Sequence, residues 1–323
     1  MKIELSMDDK KGNIFDISEL AQEITWKTKR KDGPSSLEVN LLQHEEISID
    51  NGNIISFKAD DNKIFSGYIF KNSGDKGSEI KITAYDQLKY LMYNDTYMFV
   101  NKKASEIIKK IAEDLKLNIG TIEDTAYVIP TLQEDNKRLL DIIYSSLEKT
   151  VIANTRTFVL YDEYGYLNLR DINNMKQQIV ISDDSNLGNY DWESSIEESY
   201  NRIKFVKDNK DMGCRDVYIG EDSNSIYKWG RLQLFKKLDD KLNKAQIEEM
   251  VMGNLKLKNR ETKKLSLKDV IGTETRLDVK LRGGAGVYVD IKKKNISQYY
   301  LIEEATHKFS KNEHTMDFDL KVV

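Results

Sequence analysis

Hydrophobic and polar residues alternate with a period of two along the first part of the chain, and the alternating runs are separated by turn-forming residues. Glu23 to Lys29 sets Ile24, Trp26 and Thr28 against polar neighbours, and Asp32-Gly33-Pro34 then turns the chain into Leu37 to Leu42. That is the pattern of a β-hairpin with one buried face. Asn53 to Lys58, Ile64 to Phe70 and Glu79 to Thr83 repeat it, with turns at Asn51-Gly52, Asp61-Asn62 and Gly74 to Gly77. Roughly five or six strands are predicted from Met1 to Ala84, spaced as in a small antiparallel barrel or sandwich.

The period then changes to that of a helix. A short helix is predicted over Tyr85 to Met92, and a longer one where Ala104, Ile107, Ile108, Ile111, Ala112 and Leu115 fall on one face, with Asn101 as its N-cap. A third runs from about Asn136 to Thr150 on the stripe Leu139, Leu140, Ile143 and Leu147. Thr157 to Arg170 reads as a hairpin around Asp162 to Gly165, and Gln178 to Ser182 as one more strand. After the acidic, turn-like stretch Asp183 to Glu198, strands are predicted at Asn201 to Val206, Asp216 to Ile219, Ser225 to Leu234, Arg276 to Leu281, Val287 to Ile291, Tyr299 to Phe309 and Thr315 to Val322. Asp239 to about Lys258 reads as a helix among them. The expected class is α+β, with two β-barrel-like domains, 1–84 and 199–323, flanking an α-rich middle region, 85–198, that carries the hairpin 157–170. The helix at about 239–258 is an insertion in the second β domain.

At 323 residues the chain is long enough for two or three domains. Its formal net charge is -4 with both signs interspersed, so no broad cationic face points to a nucleic acid. The first residues lack the apolar core of a signal peptide and no later run approaches a bilayer span, which leads to the expectation of a protein made in the cytoplasm, with no membrane partner. Cys214 is the only cysteine, so no internal disulfide can form. Pro34 and Pro130 are the only prolines, which argues for domains packed together instead of strung on linkers.

Several constellations resemble sites of chemistry, and each is read as structural. Gly283-Gly284-Ala285-Gly286 has no following Lys-Ser/Thr and no helix start, so it is a turn and not a phosphate loop. His44-Glu45-Glu46 opens like a zinc-protease helix, but Ser48 stands where the second histidine is needed. His307 and His314 can face each other across the last hairpin with Glu303 or Glu304 near, yet a paired structural role is favoured over a metal. Asp208 to Gly213 places Lys210 and Met212 where a calcium loop needs oxygen ligands. Glu197-Glu198 and Glu303-Glu304 offer paired carboxylates of the kind a glycosidase uses, on a chain rich in acidic residues. Tyr161, Tyr164 and Tyr166 offer a stripe for stacking sugars or bases, against the blander reading of a packed strand face. No catalytic, cofactor-binding or metal-binding set is expected.

The string Ile82-Thr83-Ala84-Tyr85-Asp86-Gln87-Leu88-Lys89-Tyr90-Leu91 resembles a signature of the XkdQ/YqbQ family, encoded in phage and phage-like (PBSX-like) tail clusters of Gram-positive bacteria. Asn101 to Ile108, the hairpin Thr157 to Leu169, and the ending Thr306-His307-Lys308-Phe309 through Asn312-Glu313-His314-Thr315-Met316 extend the resemblance over nearly the whole chain. The signature positions Tyr85, Asp86, Leu88, His307, His314 and Met316 carry no catalytic geometry in that family. The family in turn resembles the hub proteins of contractile tails, the phage T4 hub and the late control protein D group. The resemblance therefore implies a structural, non-enzymatic baseplate hub of a phage tail or tailocin (phage-tail-like bacteriocin): a homotrimeric ring that adapts a sixfold tail tube to a threefold spike. Its implied partners are further copies of itself, the tail tube or a tube-end protein, the central spike, the tape-measure protein and baseplate wedge proteins. The alternatives are a tail-associated peptidoglycan hydrolase or a carbohydrate- or receptor-binding tail module.

Overall fold

The computed structural model describes the whole chain except residues 45–46, 77–78, 210–212, 239–241, 273–277, 311–312 and 323. The first region forms β1 (Ile3–Asp8), β2 (Ile14–Asp16), β3 (Ala21–Lys29), β4 (Ser36–Leu42), β5 (Ile54–Ala59), β6 (Asn62–Gly74) and β7 (Glu79–Tyr85). Alternation does what the sequence pattern requires: Ile24, Trp26 and Thr28 on β3 and Leu37, Val39 and Leu41 on β4 are all buried, while their neighbours face out. A 3₁₀ turn, Gln87–Met92, follows, capped by Asp86, whose carboxylate accepts the Leu88 N–H at 3.0 Å.

The middle region contains β8 (Asn94–Lys103), α1 (Ala104–Asp114), β9 (Ile119–Ile122), β10 (Val128–Arg138), α2 (Leu139–Asn154), β11 (Phe158–Asp162) and β12 (Leu167–Asp171). β8 pairs with β10, and β12 lies between β11 and β9. The apolar stripes of α1 and of the first part of α2 share one core with Leu88, Leu91, Phe99, Phe158, Leu160, Leu167 and Leu169.

Next come β13 (Lys176–Ser182), β14 (Asn189–Ser195), β15 (Arg202–Asn209), β16 (Cys214–Glu221), α3 (Ser223–Trp229), β17 (Gln233–Lys237) and α4 (Lys244–Lys258), and the chain closes with β18 (Thr262–Ile271), β19 (Gly286–Ile291), β20 (Ile296–Phe309) and β21 (His314–Lys321). Two compact units result. One comprises Met1–Leu147, Thr157–Asp191 and Leu265–Val323; the other comprises Glu148–Arg156 and Trp192–Lys264. In the second unit β15 is flanked by β16 and β17, and α4 covers Ile203 and Phe205 with Ile247 and Val251.

The first unit is organised by β20. Its first half, Ile296 to Leu301, pairs with β19, its second half, Glu304 to Phe309, pairs with β3, and β21 runs along its other edge. Glu303 is the extra residue of a bulge at the changeover. The result is one 13-stranded sheet in which β3, near the start of the sequence, pairs with β20, near its end. The path runs β14-β18-β21-β20-β3-β4-β7-β6-β5-β1-β2, with β19 and β13 branching from β20. It curls at both ends. Phe57 on β5 meets Phe309 on β20 with ring centres 5.0 Å apart, although four strands separate them along the sheet, so the N-terminal strands wrap a core of their own. Ile181, Leu267, Val289, Ile302 and Phe318, from β13, β18, β19, β20 and β21, enclose a second.

Among the described residues neither curl closes into a ring of hydrogen-bonded strands. The expectation of two β-barrel-like domains is thus corrected to two curled halves of an open sheet joined through β20. Other differences are local. Of the strand expected at Ser225 to Leu234 only Gln233 and Leu234 are extended, in β17: Asp222 accepts the Ser225 N–H and starts α3. Asn101 is not an N-cap; it sits at φ 52° within β8, and α1 begins after Lys103, whose N–H is held by Glu106 at 2.8 Å. The acidic stretch 183–198 contains β14, and β8, β10 and β18 arise where no strand was expected. Of the strand expected at Arg276 to Leu281, the described residues 278–281 are not extended in a sheet, and 276–277 lie outside the described residues, as do 239–241 of the inserted helix.

Candidate functional site

Where the N-terminal curl, the C-terminal curl and the middle region adjoin, polar side chains are buried together. Asp86, at the end of β7, is 1% exposed; its carboxylate accepts the Ser35 N–H at 2.9 Å as well as that of Leu88. Next to it, Gln87 donates to Asp162 Oδ2 at 3.0 Å and to the Gly165 carbonyl at 2.6 Å, and accepts the Asn118 N–H at 2.8 Å. Asp162 also accepts the Gly165 N–H at 2.7 Å, which fixes the hairpin turn after β11.

Arg282 enters from the segment before β19. It donates to the Asp162 carbonyl at 2.9 Å, and its guanidinium lies 4.4 Å from the centre of the Tyr161 ring and 5.7 Å from that of Trp26. Burial, and then the charge of Asp162, push the Asp86 carboxyl up to about 8, with Arg282 and the Ser35 hydrogen bonds acting the other way. Burial likewise raises Asp162 to about 6. Two buried carboxyls with one guanidinium nearby form a joint whose protonation is coupled.

The adjoining residues explain the glycines. Gly283 donates its N–H to Thr28 Oγ1 at 2.8 Å, and a Cβ there would lie 2.5 Å from the Lys29 carbonyl carbon. Gly284 has φ 94°, and a Cβ would lie 2.6 Å from Val159 Cγ1. The glycine-rich run is a turn that lets one backbone lie against another. Arg30 closes the same corner through a two-pronged pair with Glu303, 2.9 Å and 2.8 Å, at the bulge of β20.

His307 and His314 form the other end of the joint. They are diagonal neighbours on β20 and β21, since His307 is opposite Met316 and Phe309 opposite His314. Leu281 offers only a carbonyl, so His307 Nε2 carries the hydrogen, donating at 2.9 Å, and its Nδ1 accepts from His314 Nε2 at 3.0 Å. This is the pair of neutral tautomers that meets both contacts, and burial favours the neutral rings. Burial, the neighbouring His314 and the charge of Arg282 depress His307 to about 3, and burial depresses His314 to about 4. Trp26, Phe309 and Phe318 surround the pair.

The structure thus brings Asp86, His307 and His314 to one joint, through Arg282. Leu88 and Met316 lie instead in the middle and C-terminal cores. Tyr85 points outward, across from Tyr68 on β6, in a half-buried cluster with Phe70, Tyr90 and Lys89. Gln87, Asp162 and Arg282 escaped sequence reasoning. Only the position of Gln87 beside Asp86 and of Arg282 beside Gly283 signalled them.

Other candidates resolve locally. Glu303 and Glu304 pair with Arg30 and Lys29, at 2.8 Å and 2.9 Å, and among the described residues no group of three His, Cys, Asp or Glu side chains converges as metal ligands would. Tyr161, Tyr164 and Tyr166 do not form a stripe: Tyr161 is buried beneath Arg282, Tyr164 turns at φ 51° beneath Lys63, and Tyr166 is exposed. Glu45 and Glu46, and residues 210–212 of the acidic loop, lie outside the described residues; Asp208 pairs with Arg215 and Lys237.

Comparison with known proteins bears on the whole of this arrangement. The sequence profile of the family described as YQBQ-like matches residues 24–321. The chain is 28% identical over 309 residues to the uncharacterized protein YqbQ of Bacillus subtilis (strain 168), covering 93% of this chain and 92% of the relative. Identity and coverage are the same for the phage-like element PBSX protein XkdQ of that strain. In fold, the chain is similar to the 43 kDa tail protein of prophage MuSo2 from Shewanella oneidensis, with a TM-score of 0.73 at 12% identity over 99% of this chain and 98% of that one. It is similar also to the tail protein from Neisseria meningitidis MC58, with a TM-score of 0.72 at 13% identity over 100% and 97%.

Proposed function

The chain belongs to the YQBQ-like family, and from that premise we propose that it is a structural subunit of a phage-type tail baseplate, a hub that assembles as a homotrimer around the central spike. The observation that carries this reading is the pair of curled β cores joined through β20, in a fold shared end to end with tail proteins of two other bacteria. Two β cores per chain give a trimer six of them, which suits an adaptor between a sixfold tube and a threefold spike. The buried joint suits the same role. Most of its hydrogen bonds run to backbone groups or between its own side chains, and they link three parts of the chain.

The partners of such a hub are the tail tube, the spike, the tape-measure protein and wedge proteins, in a phage or a tailocin particle. Synthesis in the bacterial cytoplasm precedes assembly. Light scattering across a concentration series, followed by imaging of any assembled species, tests the reading. The expected result is a trimer with a central channel, alone or on co-expression with the neighbouring tail proteins. A chain that stays monomeric with those proteins present rejects it.

A further inference from the structure

The second compact unit ends its sheet on a strand with one open edge that is basic and aromatic. β17 pairs with β15 along one edge, and among the described residues nothing pairs with the other. Gln233, Phe235, Lys236 and Lys237 are exposed there, Phe235 to 53%. From Ser223 to Leu238 the sequence carries Lys228, Arg231, Lys236 and Lys237 and no acidic residue, on a chain whose net charge is -4. Lys237 is taken up by Asp208 at 2.5 Å, and Lys228 lies over the Trp229 ring. Arg231, Lys236 and, on β15, Lys204 have no acidic partner among the described residues.

The register adds an apolar row. Ile203 and Phe205 face α4, so Lys204 between them faces the other way, with Phe235 on one side and Ile219 on the other. Ile219 is 47% exposed and Tyr227, on α3, 95% exposed. An open strand edge offers main-chain hydrogen bonds to an added strand, alternate positions of the row offer apolar contact, and the unpaired cations attract carboxylates.

We infer that β17 is a docking edge for an extended, acidic segment of another protein, which adds to the sheet as a fourth strand with apolar residues alternating with Asp or Glu. The free edge favours a polypeptide over a nucleic acid, which would use the cations and rings but not the backbone groups.

The test uses the full chain and a fluorescent heptapeptide alternating Glu and Val, titrated at low ionic strength. Saturable binding is expected, with hydrogen-exchange protection confined to residues 233–237. Arg231→Glu with Lys236→Glu should weaken it by at least about tenfold, and N-methylation of alternate peptide amides, which leaves the protein untouched, should abolish it. No saturable binding up to about 1 mM, a few kcal/mol of free energy, overturns the proposal. So does equal binding of the N-methylated peptide or of the charge-reversed chain, or tighter binding of a single-stranded oligonucleotide of the same charge.

Discussion

His307 shows how one side chain can hold several elements. It ties β20 to β21 through His314 and both to the turn before β19 through the Leu281 carbonyl. His307→Ala removes a ring packed against Trp26 and Phe318 and strands two buried hydrogen-bonding groups. It should cost about 3–5 kcal/mol by denaturant titration, as buried aromatic truncations do. The pair also gives stability a sign in pH. Both imidazoles titrate lower folded than unfolded, so below about pH 6.5 the unfolded chain takes up protons that the folded chain refuses, and stability falls as pH falls towards 4. The carboxyls of Asp86 and Asp162 titrate higher folded than unfolded and act oppositely: their contribution is present at low pH and lost as pH rises through about 6 and 8. In the variant His307→Phe with His314→Phe, the acid-side loss should disappear while the alkaline-side loss remains, as urea titrations between about pH 4.5 and 8.5 would show.

At the scale of elements, local pattern was a good guide wherever the local period decided the outcome. The strands β3 and β4 and the helices α1 and α2 were legible because alternating or helical spacing separates a buried from an exposed face, whereas the hairpin of β11 and β12, buried almost throughout, was legible from its turn at Asp162 to Gly165. β8 and β10 were not, since their outward faces carry Met98, Val100 and Val128 and blur the alternation. The candidate site was half legible: the sequence supplied Asp86, His307 and His314, but Arg282 reaches Asp162 across 120 residues, a contact no local pattern encodes. The turn at Gly283 and Gly284 belongs to this scale too. Gly284→Ala adds a methyl group against Val159 at a left-handed φ, and should destabilise by about 2 kcal/mol or more. Arg30→Ala leaves the half-buried Glu303 unpaired at the bulge and should cost roughly 1–3 kcal/mol, recovered in part by pairing it with Glu303→Gln.

For the whole molecule, the division into two compact units predicts two calorimetric transitions. Gly220→Leu, which overfills the space beneath Val251 in the second unit, should lower one of them and leave the other in place. The shared strand β20 sets a different kind of constraint, on the order in which the chain is made. Trp26 near the start waits for His307 near the end, and Lys29 for Glu304, a separation of 275 residues. On a ribosome adding about 5–20 residues per second, the N-terminal strands therefore spend many seconds with the edge of β3 uncovered. A chain released early never covers it, so a prematurely terminated product lacks one wall of its first core. Only a chain translated through β20 completes that core.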